Sequence, residues 1–471
     1  MTTPPATLPL HLDTQYGESV PRPEVNGREV LCGNKDRERM RHLQHAVSLN
    51  IVGVDDKAES LGSMPNTAPL DADVSLGHSI QLPVELWEKV IDYLADGCRG
   101  GNGSCKTYEA RLQVLGRVCR GWHARCHFRV LERMDVWKMD KTEVYSLISS
   151  LKQDPERCHA ITKTVLFHFQ RESMSIFGTF AVCMAQKLPR VKCLVLLGCQ
   201  WDTGQLHAQV FVHITLAFES VTVLELQAVR FPSAVVFGWL VRALPRLSSL
   251  KCWSVFFERH GYVAGRIWEL HPLRLDGAEV RHSDDVVDFL VLIGTQLRHL
   301  VWRDLSSGKC QELLSVIAES LSSMHIDLAD PLSFRQMFPS GYPHNLTPAV
   351  NLRVLSVSSD FEDLNGMAMI LSRSRPSLPK LVEITIISIP HHTETYSSSI
   401  IQNKLDEVKT DSYALLDQAF SSLQYPVLQK VTFELHCVTR RSEVMEVISE
   451  ESWESHVASR LPALHASGRL V

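Results

Sequence analysis

Apolar residues recur along most of this chain in one unit, apolar-x-x-apolar-x-apolar-x-x-apolar-x-apolar. The unit is complete in Val191, Leu194, Leu196, Cys199 and Trp201, and again in Val221, Leu224, Leu226, Val229 and Phe231. A third complete copy is Leu247, Leu250, Cys252, Val255 and Phe257. Its first three positions return at Leu270/Leu273/Leu275, Leu297/Leu300/Trp302, Leu321/Met324/Ile326, Leu352/Leu355/Val357, Leu381/Ile384/Ile386 and Leu428/Val431/Phe433. Weaker copies stand at Leu131/Met134/Val136 and Ile161/Thr164/Leu166. The inner apolar-x-apolar step is strand alternation, with one face buried and the other open. Between these strands the spacing turns helical, over Thr142–Lys152, Gln205–Ala217, Ala234–Ala243, Asp284–Ile293, Gln311–Leu321 and Leu364–Leu371.

Most steps between successive units are about 23 to 31 residues, the period of a leucine-rich repeat. One such unit cannot bury its strand face alone, so neighbours must stack. The expectation is an α/β fold in which residues 128–437 form a curved solenoid of alternating short parallel strands and helices. The position that holds a ladder asparagine in such repeats is mostly Cys, Val, Ala or Asp, so the repeats are degenerate. Polar insertions at Asp330–Ala349 and Pro390–Asp411 interrupt the array, and inserted loops often carry binding. A helix is expected over Ser412–Leu423. Glu450–Ala458 and Leu461–Leu464, within a tail of 438–471, look like a cap over the last repeat.

Ahead of the repeats, 82–122 reads as two amphipathic helical segments around a polar loop, 96–111. Pro83 suits a first helical turn, where its missing N–H costs nothing. Leu86, Val90 and Tyr93/Leu94 recur at helical spacing, and Leu86, Val90 and Leu94 form the expected inward seam, leaving Leu82, Pro83, Trp87 and Ile91 as outward apolar surface. The second segment carries Leu112, Leu115, Cys119, Trp122 and Cys126 along one face. Leu82-Pro83-x-Glu85-Leu86, followed by Ile91 and Leu94 and then Val118-Cys119-Arg120-x-Trp122, resembles an F-box of the type common in fungal F-box proteins. The loop over 96–111 is longer than that family's usual connection, an insertion that a surface loop tolerates at small entropic cost. The resemblance implies a small helical domain over 80–127 that docks on a Skp-type adaptor and, through it, on a cullin scaffold. It would place Leu82, Pro83, Leu86, Val90, Ile91, Leu94, Leu115, Val118 and Trp122 at or just beneath that adaptor interface.

Composition narrows the function. The 471 residues are 45% hydrophobic and 21% charged, ordinary for a globular protein with more than one domain. A formal net charge of −5 argues against a nucleic-acid or anionic-membrane surface as the main business. No apolar run is long enough to span a bilayer, and the N-terminus has no secretory pattern. The twelve cysteines are scattered through apolar patterns, which suits a reducing compartment, cytoplasm or nucleus. Residues 1–79, rich in proline and poor in aromatics, read as a mostly disordered region with one helix over 34–49.

Catalytic and metal readings find little. Cys98, Cys105, Cys119, His123, Cys126 and His127 cluster, but several fall on one helix face beside Trp122, and zinc modules space paired ligands on turns. His282, Asp284 and Asp285 could form an acid–base set, but Ser283 or Asp284 capping the following helix is the better reading, because cap positions favour those residues. No phosphate-cradling loop, nucleophile elbow or metalloprotease motif is present. No cofactor or metal is expected, and no catalytic residue. Two functions remain. One is the non-catalytic substrate-receptor subunit of an SCF-type (Skp–cullin–F-box) ubiquitin ligase, holding a protein substrate on its repeats for ubiquitin-dependent degradation. The alternative is a repeat-type protein-interaction scaffold, outside ubiquitin chemistry, whose helical hairpin merely caps the array.

Overall fold

A computed structural model of the chain describes residues 83–97, 105–169, 174–201, 208–259, 272–303, 308–328, 346–359, 367–368, 370–371, 378–388, 403, 410–421, 425–435 and 449–471. The expected helix over 34–49 and the rest of 1–79, Leu82, Cys98, and most of the insertions at 330–349 and 390–411 lie outside the described residues.

Three helices come first: α1 (Val84–Gly97), α2 (Cys105–Leu115) and α3 (Arg120–Leu131). Strand β1 (Arg133–Trp137) follows α3 after one residue, and α4 (Lys141–Gln153), α5 (Pro155–Ala160), β2 (Thr164–His168), α6 (Ser175–Cys183) and β3 (Cys193–Leu197) continue the chain. Then come α7 (Ala208–Ala217), β4 (Val223–Gln227), β5 (Arg230–Ser233), α8 (Ala234–Arg242), β6 (Ser249–Trp253), β7 (Phe256–Arg259) and β8 (Arg274–Arg281). The last elements are α9 (Asp284–Leu292), β9 (Gln296–Trp302), α10 (Lys309–Ile317), β10 (Ser323–Asp327), β11 (Val354–Ser359), β12 (Glu383–Ser388), α11 (Thr410–Ser421), β13 (Lys430–Leu435), α12 (Glu450–Arg460) and α13 (Pro462–Ala466). Local chemistry fixes several starts. Asp140 and Glu143 close a reciprocal capping box on α4, while Asp154 caps α5 ahead of Pro155.

Eleven strands form one all-parallel sheet whose order follows the chain, β1-β2-β3-β4-β6-β8-β9-β10-β11-β12-β13. A parallel sheet that adds its strands in chain order without reversing is a one-dimensional stack, each α/β unit touching its neighbours, which is solenoid topology. The expected inward residues line a single continuous core. Leu194, Leu224, Leu250, Leu300, Met324, Leu355, Ile384 and Val431 are all at most 1% exposed.

Two units are shifted from their expected places. In β2 the inward pair is Val165 and Phe167, both fully buried and in register with Leu194 and Leu196. Thr164 and Leu166 therefore lie on the open face, a one-residue slip that reverses every side chain. In β8, Ala278 and Val280 align with Leu250 and Cys252 and with Leu300 and Trp302, so that unit is Leu275/Ala278/Val280 rather than Leu270/Leu273/Leu275. The shift explains Ser283 and Asp285. Ser283 holds the N-cap position of α9 but makes no side-chain cap bond. Its Oγ instead accepts the Val255 N–H at 3.0 Å, and an Asp285 carboxylate oxygen accepts the Phe257 N–H at 2.6 Å. These two residues stand one unit along from Val255 and Phe257, so they supply the inter-repeat ladder bonds at this one step.

After several strands the chain turns through a left-handed residue whose N–H bonds the next strand's last carbonyl. Gly198 (φ +63) reaches Gln227, Ala228 (φ +51) reaches Trp253, and Ser254 (φ +54) reaches Arg281. Past this turn β5 and β7 pair as a small second parallel sheet. A Cβ at Gly198 would sit 2.9 Å from the Phe169 carbonyl oxygen, so glycine is required there. Ala228 is exposed and merely strained. Ala228→Gly should raise stability by roughly 0.5–1 kcal/mol, relief of left-handed strain less the glycine's added unfolded-state freedom. Chemical denaturation reads the effect, and a loss of stability would show that the alanine is unstrained.

The C-terminal end closes on itself. Asp417 of α11 accepts the N–H groups of Ala463 and Leu464 at 3.0 and 2.8 Å, and Trp453 donates its indole N–H to the Phe433 carbonyl. Leu470 forms a parallel bridge with Val431, covering part of the last strand's edge.

Candidate functional site

Two surfaces remain after the core is assembled, and the first is the three-helix module. The Pro83 carbonyl accepts the N–H groups of Leu86 and Trp87 at 3.0 and 3.3 Å, starting α1. The module's own core is small. Ile91, Leu112 and Cys126 are buried, with Leu115, Trp122 and Val130 packed around them. The Trp87 and Trp122 rings meet at 5.3 Å, tilted by 58°.

This packing rotates α1 away from the expected seam. Ile91 is 1% exposed and faces inward, whereas Leu86 and Val90 face outward at 43% and 37%. Val84 and Tyr93 are more exposed still. Both stripes of the helix are apolar, so periodicity alone cannot choose between them. The choice is electrostatic. Asp92 turns toward α3, where it accepts from Arg125 Nε at 3.1 Å and Arg125 Nη2 at 2.7 Å, and from Arg129 Nε at 2.6 Å.

The second expected segment is broken in two. Gly116, Arg117 and Val118 make a turn, and Cys119 takes the N-cap position of α3 with extended backbone and an exposed side chain. Helix α2 begins at Cys105, so the expected loop 96–111 shrinks to the residues between α1 and α2. Of the residues named from the F-box resemblance, Pro83, Leu86, Val90 and Val118 are exposed, Leu94, Leu115 and Trp122 are partly buried, and Ile91 is beneath the surface. Helical spacing did not bring out Val84, Tyr93, Val114 or Phe128 as surface residues, although Val114 and Phe128 are also more than 40% exposed.

A chain of charges fastens this module to the first repeat. Arg129 contacts Asp92 and places Nη1 2.8 Å from Glu132, and Lys163 reaches the same Glu132 oxygen at 2.9 Å. The Glu132 carbonyl also accepts the N–H of Lys163 at 3.0 Å. Burial alone would raise the Asp92 carboxyl, but the hydrogen bonds from Arg129 and Arg125 outweigh it and hold the group below the ordinary carboxylate range.

The second surface is the open face of the long sheet. Strand register places Asp135, Leu166, Val195, Glu225, Lys251, Glu279, Val301, His325, Ser356, Thr385 and Thr432 in one row across it. Its middle is ionic. Lys251 pairs with Glu225 at 2.8 Å and Arg303 with Glu279 at 3.0 Å, while on the last two strands Lys430 pairs with Glu383 at 2.9 Å. Toward the C-terminal end, His325 Nδ1 lies 3.0 Å from Ser356 Oγ and Nε2 lies 3.3 Å from Ser358 Oγ. Burial pushes His325 below the ordinary histidine value.

Among the described residues no group of three or more His, Cys, Asp or Glu is placed to hold a metal. Burial pushes the thiols of Cys199 and Cys310 up to about 12, which removes them as nucleophiles or ready ligands at neutral pH. No described helix is long and apolar enough to cross a membrane.

No family model matches the chain, and no curated protein matches it. Among solved structures it is similar to the leucine-rich repeat-containing protein LegL7 from Legionella pneumophila, at 12% identity and a TM-score of 0.30, over 71% of this chain and 90% of that one. The repeat architecture is read from this chain's own strand order and register.

Proposed function

We propose that this protein is the substrate-receptor subunit of an SCF-type ubiquitin ligase. It is a non-catalytic, leucine-rich-repeat-like F-box protein that works in the cytoplasm or nucleus. The three-helix module binds a Skp-type adaptor, which links it to a cullin scaffold, and the repeat array holds a protein substrate beside the ligase. Receptor binding then acts by raising effective concentration rather than by chemistry.

One observation carries the reading. The module closes its own small core with Ile91, Leu112 and Cys126, yet leaves Val84, Leu86, Val90, Val114 and Val118 exposed. Several apolar side chains left exposed on an otherwise complete fold offer a partner site, and the cap of a repeat array normally presents a polar outer face. The scaffold reading draws on the Asp92–Arg129–Glu132–Lys163 chain, because a cap needs firm attachment to its first repeat.

The two readings separate on purified full-length chain and a purified Skp-type adaptor. Leu86→Asp with Val90→Asp should weaken adaptor binding by about 2 kcal/mol or more, roughly thirtyfold, as charge enters a docked apolar surface. Both side chains are exposed, so the melting temperature should stay near wild type. Wild-type chain that is folded and does not bind adaptor leaves the scaffold reading standing and removes the ligase.

A further inference from the structure

We propose that the N-terminal part of the open sheet face, the part nearest the helical module, binds an extended, unphosphorylated peptide segment with aromatic or aliphatic side chains. Calling that segment a ligase substrate rests on the receptor reading; the binding itself does not.

The open face divides by chemistry along the array. Across β1 to β6 its apolar residues are Trp137, Leu166, Val195, Leu197, Val223 and Trp253, and the same strands carry the Arg133–Asp135 and Lys251–Glu225 ion pairs. Leu166 and Val195 form a floor at 6% exposure each, and the other four are half-buried around it. An apolar floor with partly open aromatic walls is the make-up of a recognition core rather than of a solvated sheet face. Trp137 and Trp253 are four strand steps apart, about 19 Å, the reach of roughly six extended residues.

Charge decides what such a segment carries. Arg133 is held by Asp135 at 2.9 Å, Lys251 by Glu225, Arg303 by both Glu279 and Asp327, and Lys430 by Glu383. Each of these cations already has a carboxylate partner, so a phosphate must displace that carboxylate and leave it stranded on a half-buried surface. Burial, with help from Lys138, holds His168 below its ordinary value, and burial does the same to His325. Within the apolar part, Gln227 is uncharged and lies between Leu197 and Trp253. Lys138, whose Nζ lies 5.9 Å from the Trp137 ring, is a cation outside these pairs, and the surface otherwise complements a neutral, apolar ligand.

The test is a random-peptide display selection on immobilised full-length chain. Selected sequences are then resynthesised with and without phosphoserine and titrated by fluorescence anisotropy. The expected winners are rich in aromatic and aliphatic residues, and a phosphoserine leaves their affinity unchanged or lowers it. Leu197→Asp should reduce binding at least tenfold, about 1.4 kcal/mol. Gln227→Asp should reduce it in the same direction at an exposed position, where folding is not at stake. Enrichment of acidic or phosphate-dependent sequences, binding that ignores both substitutions, or no enrichment at all would each overturn the proposal. The Leu86→Asp/Val90→Asp chain should bind the peptides as wild type does. Wild-type chain that binds the peptides but not the adaptor would count against the receptor reading alone.

Discussion

Phe237→Ala is expected to be the most destabilising single truncation in the repeat array, at roughly 3–5 kcal/mol. Phe237 is fully buried on α8. Its ring stands 5.3 Å from Phe231 at 78°, 5.4 Å from Phe257 at 43°, and 5.0 Å from Phe289 at 90°. Those partners belong to β5, β7 and α9, so one side chain joins three successive units. The edge-to-face pairs contribute about 0.5–1.5 kcal/mol each beyond the area they bury, and the surrounding elements are tied by ladder bonds and cannot collapse into the void. In a stack that is stable only through neighbours, the damage should be local first. Amide exchange should quicken across β4 to β9 well before β12 and β13. A denaturation midpoint that does not move would mean the aromatic cluster is not the centre of the array.

Much of this architecture was legible because the repeat unit is written in residues of one size class. Where Leu, Val, Met and Ile occupy the inward positions, as in β3, β4, β10, β11 and β12, the expected and observed registers coincide. The failures share a cause. In β2 the open face is itself apolar, with Leu166 only 6% exposed, so alternation vanishes from Thr164-Val165-Leu166-Phe167 and the frame slips by one. In β8 the inward residues are the small Ala278 and Val280, and bulkier leucines upstream imitated the unit. Ser283 reads as a helix cap because that role is local, whereas its partner Val255, like the Phe257 N–H that Asp285 accepts, is brought near only by stacking. The orientation of α1 was hidden for a similar reason. Two apolar stripes share the helix, and the residue that selects between them is Asp92, whose partners lie more than thirty positions on.

That selection leads to the second large effect, at the junction of the module and the first repeat. Arg129→Met should cost about 3 kcal/mol, the low end of the range for breaking a buried charge pair. The guanidinium side chain is 10% exposed and Glu132 is 9% exposed, so neither regains full hydration when the other is lost. The cost stays at the low end because Asp92 keeps Arg125 and Glu132 keeps Lys163. Adding Glu132→Gln should then cost less than it does in wild type, giving a coupling that a double-mutant cycle measures directly. The pH dependence follows from Asp92. Its carboxyl is held below the ordinary value in the folded chain, so its contribution is complete above the unfolded carboxylate range and is lost as pH falls through the lowered folded value. Acid should therefore loosen the module before the repeats. Tryptophan emission from Trp87 and Trp122 in a chain with its other tryptophans replaced would follow the loosening. In Arg129→Met the transition should begin at higher pH, because one of the two groups that depress Asp92 is gone. An unchanged acid midpoint would show that the module keeps its structure through the packing of Ile91, Leu112 and Cys126, with the charges as bystanders.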